Sequence, residues 1–301
     1  MQIFYSELST NPKYLSFGYS IYGIIEDSDK IHEVYEKGFQ PCHIIPGTTD
    51  MFYMARGTRV LVCEFKETSK NRRILRKFEN NDASNIKITV HKKEEFPINS
   101  LFLDFCLTYF NFRHGSASMS KERLEQILNS QYLTHIVEYK INNKTAGYML
   151  EGHGENYKHV FYLIYGKKFE GRHLGAYMML DMVRRSKKEN KQYSYLGVSY
   201  GDWMKYKTNY QPLEYWDGQT WVIDPKSKSL KELMRVDYLR TMTFTDLWRA
   251  SRKSFYPAPI SYTSDKQELR YLLLLAIRRP RLLLSLLIVM TTFLLFVLFK
   301  I

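Results

Sequence analysis

Cysteine is scarce in this chain, and so are the patterns that cysteine usually forms. The 301 residues contain three cysteines, Cys42, Cys63 and Cys106, and no CxxC or CxxH pair. This spacing excludes a disulfide framework and a cysteine-based zinc site, and it suits a reducing compartment. The first ten residues lack the basic and apolar runs of a signal peptide, and residues 1–225 contain no internal repeat or low-complexity tract.

Positive charge, in contrast, is in excess. The chain has 44 Lys and Arg against 31 Asp and Glu, which gives a net charge of +13 and a pI near 9.4. Hydrophobic residues make up 45% and aromatic residues 15% of the sequence, enough for a core, so general disorder is excluded. The charge excess favours a polyanionic partner, either nucleic acid or an anionic membrane face.

One long apolar run lies near the C-terminal end. Residues 282–299 are eighteen consecutive residues without a charge, and as a helix they would measure about 27 Å, close to the hydrocarbon thickness of a bilayer. Arg278, Arg279 and Arg281 precede the run, whereas Lys300 alone follows it. The positive-inside rule therefore predicts a single-pass C-terminal transmembrane helix at 282–299, with the preceding body in the cytoplasm.

The segment before this run, residues 226–281, is predicted to be a basic juxtamembrane connector. Within it, residues 265–277 follow a capping-box pattern that begins at Ser264, and they have helical composition. Such an amphipathic helix could lie on the membrane interface or dock on the body. Both interpretations stay open.

The sequence before residue 226 contains patterns typical of helices and patterns typical of strands. Helices are predicted over 29–37, where Gly38 marks the end, and over 68–78, 98–113 and 119–130, with Ser120 as a cap. Strands are predicted over 59–65 and 86–91, and a bend with a closing hairpin over 209–224.

The order of elements in the second half predicts the fold class. A hairpin turn at Asn142–Lys144 joins strands 134–139 and 145–152; strand 159–165, a glycine-bounded loop at 166–171, helix 173–188 and strand 193–198 follow. This order is similar to the acetyltransferase-like (GNAT) core. We expect an α/β (α+β) protein with a two-lobed, GNAT-like mixed sheet flanked by helices, its lobes being residues 1–96 and 97–225.

The loop before helix 173–188 could bind an anion. A glycine loop lets the backbone approach a ligand, and the free amides of the following helix attract anionic oxygen. Gly175 would be the close-packing glycine, but Tyr177 stands where the usual pattern has Gly or Ala. A simple strand-to-helix crossover explains the pattern equally well.

The most distinctive segment of the chain is Trp203-Met204-Lys205-Tyr206-Lys207, with Tyr210 and Pro212 after it. Together with residues 33–39, 68–77, 107–114 and 173–181, this segment resembles the arginyl-tRNA–protein transferase family, over roughly Phe17 to Ile223. The resemblance implies an aminoacyl-tRNA-dependent transferase that places an amino acid on a protein N-terminus.

Two departures from that family change the expectations. Family members carry paired cysteines in the N-terminal lobe, linked to metal or iron–sulfur binding, but residues 14–18 and 52–55 contain no cysteine here. We therefore expect no metal and no other cofactor. The C-terminal membrane anchor is the second departure, since the usual members are soluble.

The donor's chemistry indicates which side chains to expect. An aminoacyl ester is already activated, so the enzyme needs only to align the amine, stabilise the oxyanion and hold the charged RNA. A basic path for the acceptor stem has candidates in Arg72, Arg73 and Arg76, in residues 184–188, and in Lys205 and Lys207. Trp203, Tyr206 and Tyr210 beside the last pair could stack an unpaired base. A solvated surface is the plainer interpretation of each charge run, and membrane lipid competes for the same charges.

Proton transfer has three candidates: Tyr200, Asp202 and His114. Asp202 follows an apolar strand and a glycine, which suits a carboxylate facing a cleft, although a Gly-Asp turn explains it as well. His114 precedes Gly115, and a helix cap is the plainer interpretation of this residue. Tyr177 and Tyr206 fit a substrate wall or ordinary packing, and Gly175 would complete the binding set.

Three functions follow from these features. The first is transfer of an amino acid from charged tRNA to a protein, peptide or lipid amine at the membrane. The second is a GNAT acyltransferase that uses acyl-CoA. The third is a non-catalytic membrane adaptor that binds tRNA or a partner.

Overall fold

The computed structural model describes residues 1–11, 16–26, 31–42, 50–79, 86–115 and 119–240. The chain divides into two compact units, Met1–Glu7 with Tyr19–Arg235, and Leu8–Gly18 with Val236–Ile301. The predicted membrane helix at 282–299 and the predicted amphipathic helix at 265–277 lie outside the described residues. Within the described ranges, no helix combines the length and apolarity needed to cross a bilayer.

The described residues form twelve strands and six α-helices. The strands are β1 Gln2–Asn11, β2 Ser16–Ile24, β3 Phe39–Pro41, β4 Met51–Met54, β5 Gly57–Leu61, β6 Ile86–Lys92, β7 His135–Ile141, β8 Lys144–His153, β9 Tyr157–Tyr165, β10 Tyr193–Val198, β11 Leu213–Trp216 and β12 Trp221–Ile223. The helices are α1 Ile31–Glu36, α2 Ser69–Glu79, α3 Ser100–His114, α4 Lys121–Asn129, α5 Leu174–Lys188 and α6 Lys228–Arg240. A 3₁₀ helix, Asp202–Asn209, follows β10.

Most strands of the first unit lie in one mixed sheet. Its described order is β12-β11-β5-β10-β9-β8-β7-β6, and β1-β2-β4-β3 form a second sheet. In the large sheet β9 and β10 are parallel, and the other described neighbours are antiparallel. Helix α5 connects the parallel pair, as a parallel crossover requires.

Both faces of the large sheet are covered by helices. Successive residues of β7 and β8 alternate between two cores, because strand side chains point to opposite faces. Val137 and Met149 pack in the core that contains α2 and α5, whereas Ile136 and Leu150 pack in the core that contains α3 and α4. The fold is a mixed α+β fold with a large mixed sheet flanked by helices, as the sequence predicted.

Local polar contacts explain several element boundaries. Asn142 and Asn143 both have positive φ, 52° and 60°, and close the tight hairpin between β7 and β8. The Ser120 hydroxyl accepts the Arg123 N–H at the start of α4, which confirms it as a cap. The Asn99 side chain caps α3 in the same way, a role that the sequence did not indicate.

The predicted order of hairpin, strand, helix and parallel strand is confirmed by β7, β8, β9, α5 and β10. One local prediction was wrong: the strand expected over 59–65 ends at Leu61 and turns into a short 3₁₀ helix. Helix α6 lies in the first part of the predicted connector, and the role of that segment stays a prediction. The division at residue 96 stays a prediction; the structure groups Tyr19–Arg235 into one unit.

Candidate active site

A cavity opens where the two parallel strands separate. The register between β10 and β9 covers Tyr193 to Tyr195 opposite Tyr157 to His159, and both strands continue beyond it. Gly197 has a φ of +75°, and the register of β10 against β5 shifts between Tyr195 and Gly197. Because a bulge bends its strand, this one helps to part β10 from β9. The cavity has a volume of about 420 Å³, within the range of small-molecule sites.

The first turn of α5 forms one wall of this cavity. Leu174, Gly175 and Ala176 all line it, and the first intrahelical bond of the helix runs from the Tyr177 N–H to the His173 carbonyl. The preceding amides therefore have no intrahelical acceptor. His173 occupies the N-cap position and makes no side-chain cap bond. Since a helix N-terminus carries partial positive charge, this wall suits an anionic or partly negative oxygen.

The lining is mainly apolar, and its described ionisable groups are basic or phenolic. Strand residues such as Val160, Leu163 and Leu196, with Met179 and Met204, supply apolar surface. Among the lining residues that the structure describes, the basic ones are Arg113, His114, His173 and Lys207, and none is a carboxylate. At the exposed mouth, the Arg113 guanidinium lies 3.6 Å from the Glu170 carboxylate.

The basic helix α2 lies close to the mouth. Burial, followed by the charges of Lys77, Lys70 and Arg73, lowers the pKa of His173. These three residues have i, i+3 and i+7 spacing, so they form one stripe on α2. They are exposed, and α2 packs on α5 through the rings of Phe78 and Tyr177.

Four predicted site residues line the cavity: His114, Gly175, Tyr206 and Lys207. His114 ends α3 and is exposed at the mouth, where burial and the Arg113 charge lower its pKa. Burial raises the pKa of the Tyr206 hydroxyl. The Lys207 side chain is only 4% exposed, and burial lowers its pKa to about 7.

Tyr177 and Tyr210 lie in the core and are not among the lining residues. The Tyr177 hydroxyl donates to the Glu79 carboxylate at 3.3 Å, and its ring packs on Phe78. The Tyr210 hydroxyl donates to the Ala176 carbonyl at 2.9 Å. These contacts join α5 to α2 and to the segment after β10, so both tyrosines support the cavity wall from behind.

The remaining predicted residues lie outside the described lining. The Tyr200 hydroxyl accepts the Arg56 backbone N–H at 2.8 Å, and the Arg56 guanidinium lies 4.7 Å from the centre of its ring. Asp202 and Trp203 begin the 3₁₀ helix, and their side chains are outside the description. Lys205, Arg72, Arg73 and Arg76 are exposed. All of their proposed roles stay predictions.

Sequence reasoning missed Arg113, Tyr109 and Tyr165 as lining residues. Tyr109 and Tyr165 contact each other edge to face, with ring centroids 4.9 Å apart. The only available signal was their nearness in sequence to His114 and to the glycine loop. Among the described residues, no group of three His, Cys, Asp or Glu side chains could hold a metal ion.

Comparison with known proteins places this cavity inside a recognised region. Residues 102–217 match the family model described as arginine-tRNA-protein transferase, C terminus. This range contains β7–β10, α5 and the 3₁₀ helix. The match indicates an enzyme of the aminoacyl-tRNA transferase kind.

Curated relatives agree with that assignment. The aspartate/glutamate leucyltransferase of Agrobacterium fabrum is 27% identical over 188 residues, which is 56% of this chain and 71% of that protein. The protein of the same name from Rhizobium leguminosarum bv. trifolii is 29% identical over 187 residues, covering 56% and 69%. Among solved structures, L-PGS from Bacillus licheniformis aligns with a TM-score of 0.37 at 10% identity, over 58% of this chain and 51% of that one.

Proposed function

We propose that this protein transfers an amino acid from aminoacyl-tRNA to an amine acceptor at the cytoplasmic face of a membrane. The observation that carries the proposal is the cavity at the β9–β10 separation, with the amide-rich N-terminus of α5 on one wall. An aminoacyl ester needs an oxyanion stabiliser and an aligned amine, and no covalent nucleophile. The amides of Leu174, Gly175 and Ala176 are suited to the first task.

The cavity lining favours an apolar aminoacyl group over arginine. A guanidinium buried in this site would need a carboxylate partner, because an unpaired buried charge is costly. The described lining offers none and is rich in Val, Leu and Met. The relatives named above are aspartate/glutamate leucyltransferases. We therefore propose leucyl-tRNA as the first donor to test.

The stripe of Lys70, Arg73 and Lys77 provides a route for the acceptor stem to the cavity mouth. Basic side chains bind the phosphate backbone without reading sequence, and each lost phosphate contact lowers the salt dependence of binding. The charges of the stripe lower the pKa of His173 at the start of α5, which supports RNA binding near the opening.

Acceptor and location are proposed from other features. The relatives' names point to aspartate or glutamate in the acceptor, and the apolar run at 282–299 points to a membrane-associated protein, peptide or lipid amine.

Fractionation of cells into membranes and supernatant tests the location. Val289→Arg with Leu294→Arg should move the protein from membranes to the supernatant, because each arginine at the centre of a span costs about 2.5–3.5 kcal/mol. Retention in the membrane pellet would contradict the anchor.

A transfer assay tests the activity. The full chain is incubated separately with each labelled aminoacyl-tRNA and with peptides beginning in Asp, Glu or Ala, as well as with membrane extract. We expect label from leucyl-tRNA on an acidic N-terminus or on a membrane component, and far less from arginyl-tRNA. No transfer from any charged tRNA would refute the proposal.

Two treatments separate the remaining functions. Ribonuclease should abolish transfer, whereas depletion of coenzyme A should not; the opposite pattern would identify an acyl-CoA-dependent enzyme. Binding of tRNA without turnover would identify an adaptor.

A salt titration tests the RNA route. Replacing Lys70, Arg73 and Lys77 with Gln should reduce the salt slope of tRNA binding by about 2–3. The matched variant Arg72→Gln with Arg76→Gln changes residues that the structure does not place beside His173, so it should have the smaller effect. Equal effects of the two variants on the salt slope would contradict a specific role of the stripe in binding the RNA.

A further inference from the structure

Lys207 is a lysine buried in the cavity, and its described partner is neutral. Its Nζ donates to the Val198 carbonyl at 2.5 Å, and Val198 belongs to β10 just past the point where β9 and β10 separate. Both residues line the cavity. The amine therefore lies at the wall where a donor ester would be held.

Two other buried cations of the described structure have carboxylate partners. The Lys158 ammonium lies 2.6 Å from the Glu189 carboxylate, and the Arg59 guanidinium pairs with Glu36 and Glu214. For Lys207 the described contact is a carbonyl, and burial is the cause of its lowered pKa. A buried amine without a counter-ion favours its neutral form, which can accept a proton.

We propose that the Lys207 amine is the proton acceptor of the transfer reaction. This inference rests on the proposed function. The neutral acceptor amine forms a C–N bond with the ester carbonyl carbon, and the tetrahedral intermediate carries an ammonium. Lys207 Nζ takes a proton from that nitrogen. The C–O bond to the tRNA ribose then breaks, and the departing ribose oxygen receives the proton from Nζ, so the lysine is regenerated neutral.

Other ionisable groups that face the cavity are less suited to this step. Burial raises the pKa of Tyr109, Tyr162 and Tyr206, so these phenols stay protonated and neutral near pH 7; Tyr165 is the remaining lining phenol. His114, His173 and Arg113 lie at the exposed mouth. Among the groups that the structure describes, Lys207 is therefore the one suited to act as a base inside the cavity.

The first test uses the native full chain with leucyl-tRNA and two peptide acceptors whose terminal amines differ in pKa by about one unit. The maximal rate is followed against pH under single-turnover conditions. We expect the plot of rate against pH to have two limbs. One limb shifts with the pKa of the acceptor amine, and the second, near pH 7, is the same for both peptides. Absence of a fixed limb would overturn the proposal, even if no variant could be purified.

The second test uses Lys207→Met and Lys207→Arg. Removal of a general base lowers the rate by about 10²–10⁴-fold, and we expect both variants to fall in this range and to lose the fixed limb. Arginine keeps a positive charge but supplies no neutral base. A rate for Lys207→Arg within about tenfold of the native rate would show that Nζ supplies charge, and would overturn the proposal.

Lys93→Met is the matched control. Lys93 is also partly buried and donates to a backbone carbonyl, that of Ser130 at 2.9 Å, but it follows β6 and does not line the cavity. We expect its rate and pH profile to match the native chain. If the native chain transfers label while Lys207→Met is equally fast, only the role of Lys207 fails. If the native chain transfers nothing, the proposed function fails with it.

Discussion

The segment formed by β9, α5 and β10 lies beside buried ionisable groups at both of its ends, but the two ends differ in how these groups are paired. At one end, the first residues of β9 and β10 and the C-terminal half of α5 lie around a network of paired ions. At the other end, the parted strands and the first turn of α5 enclose a lysine amine whose described partner is a carbonyl. The contrast separates charge that supports the fold from charge that is available for chemistry.

Glu151 is the centre of the paired end. Its side chain is fully buried, and two Arg185 nitrogens donate to its two carboxylate oxygens at 3.0 and 2.5 Å. The His153 ring nitrogen lies 2.6 Å from the same carboxylate, and Asp181 accepts from Arg185 at 2.8 Å. Burial alone would raise the pKa of Glu151, but Arg185 and His153 lower it to about 2.

Each charge at this end has a partner within hydrogen-bonding distance, so its burial needs no functional explanation. Lys207 has no such compensation in the described structure, and its burial opposes stability. A fold retains an unfavourable buried amine most readily where the amine does work, since destabilised groups concentrate at active sites. We therefore expect the chemistry to take place at the cavity end.

Breaking the paired end should produce the largest loss of stability. Arg185→Met leaves the Glu151 carboxylate buried without its main counter-ion, and removing one partner of a buried pair costs about 3–5 kcal/mol. Urea unfolding of the full chain in detergent measures the change. Arg184→Met is the control: its guanidinium is 43% exposed and pairs with Glu67 and Glu79, so we expect a loss below about 1 kcal/mol. Similar losses for the two variants would contradict the distinction.

The cavity end should respond with the opposite sign. Lys207→Met removes a buried amine, and we expect it to raise the free energy of unfolding at pH 6 by roughly 2 kcal/mol, less than the full linkage value because the Val198 carbonyl loses its donor. Since activity should fall at the same time, stability and function separate at this residue.

The pH dependence gives this prediction its sign. Between about pH 7 and the ordinary lysine pKa, the unfolded chain binds a proton that native Lys207 does not, so native stability rises with pH in this window. Below about pH 7 both states are protonated and the cost of burial is fully present. The gain from Lys207→Met should therefore shrink as pH rises from 7 to 10. A gain independent of pH would show that the amine is not neutralised by burial.

The sequence predicted the secondary-structure elements around this segment better than the placement of its ionisable side chains. The turn at Asn142–Asn143 and the cap at Ser120 are local signals, so β7, β8 and α4 could be located from a few residues. The insertion of β5 between β10 and β11 depends on pairing residues such as Val60 and Ser194, which lie far apart in the chain, and no local pattern indicates it.

Lys205 and Lys207 show the same limit within one short segment. Both were predicted to bind RNA, because the sequence displays them as one basic run. A 3₁₀ helix has three residues per turn, so positions two apart lie on different faces. Lys205 is exposed, whereas Lys207 is 4% exposed. Burial of a lysine depends on the strand beside it, Val198 here, and the amino-acid pattern carries no signal of that contact.

The smallest expected effect concerns the close packing of the cavity wall. A Cβ on Gly175 would lie 3.1 Å from Cε1 of Tyr165, so Gly175→Ala requires the ring to move by a few tenths of an ångström. Alanine favours the helix by up to about 1 kcal/mol relative to glycine, so we expect stability to change by less than that. Tyr165 itself lines the cavity, and its displacement should raise KM for the aminoacyl-tRNA a few-fold.

The transfer kinetics of Gly175→Ala, compared with those of a matched variant at the paired end, Ser186→Ala, would decide whether the packing of Gly175 on Tyr165 matters. Ser186→Ala removes a buried hydroxyl that donates to the Met182 carbonyl within α5, far along the helix from the cavity. We expect Ser186→Ala to leave KM unchanged and Gly175→Ala to raise it with little change in stability. A purely structural defect would lower the free energy of unfolding of either variant and leave its KM unchanged. Equal KM values for Gly175→Ala and Ser186→Ala would therefore mean that the first turn of α5 does not contact the donor.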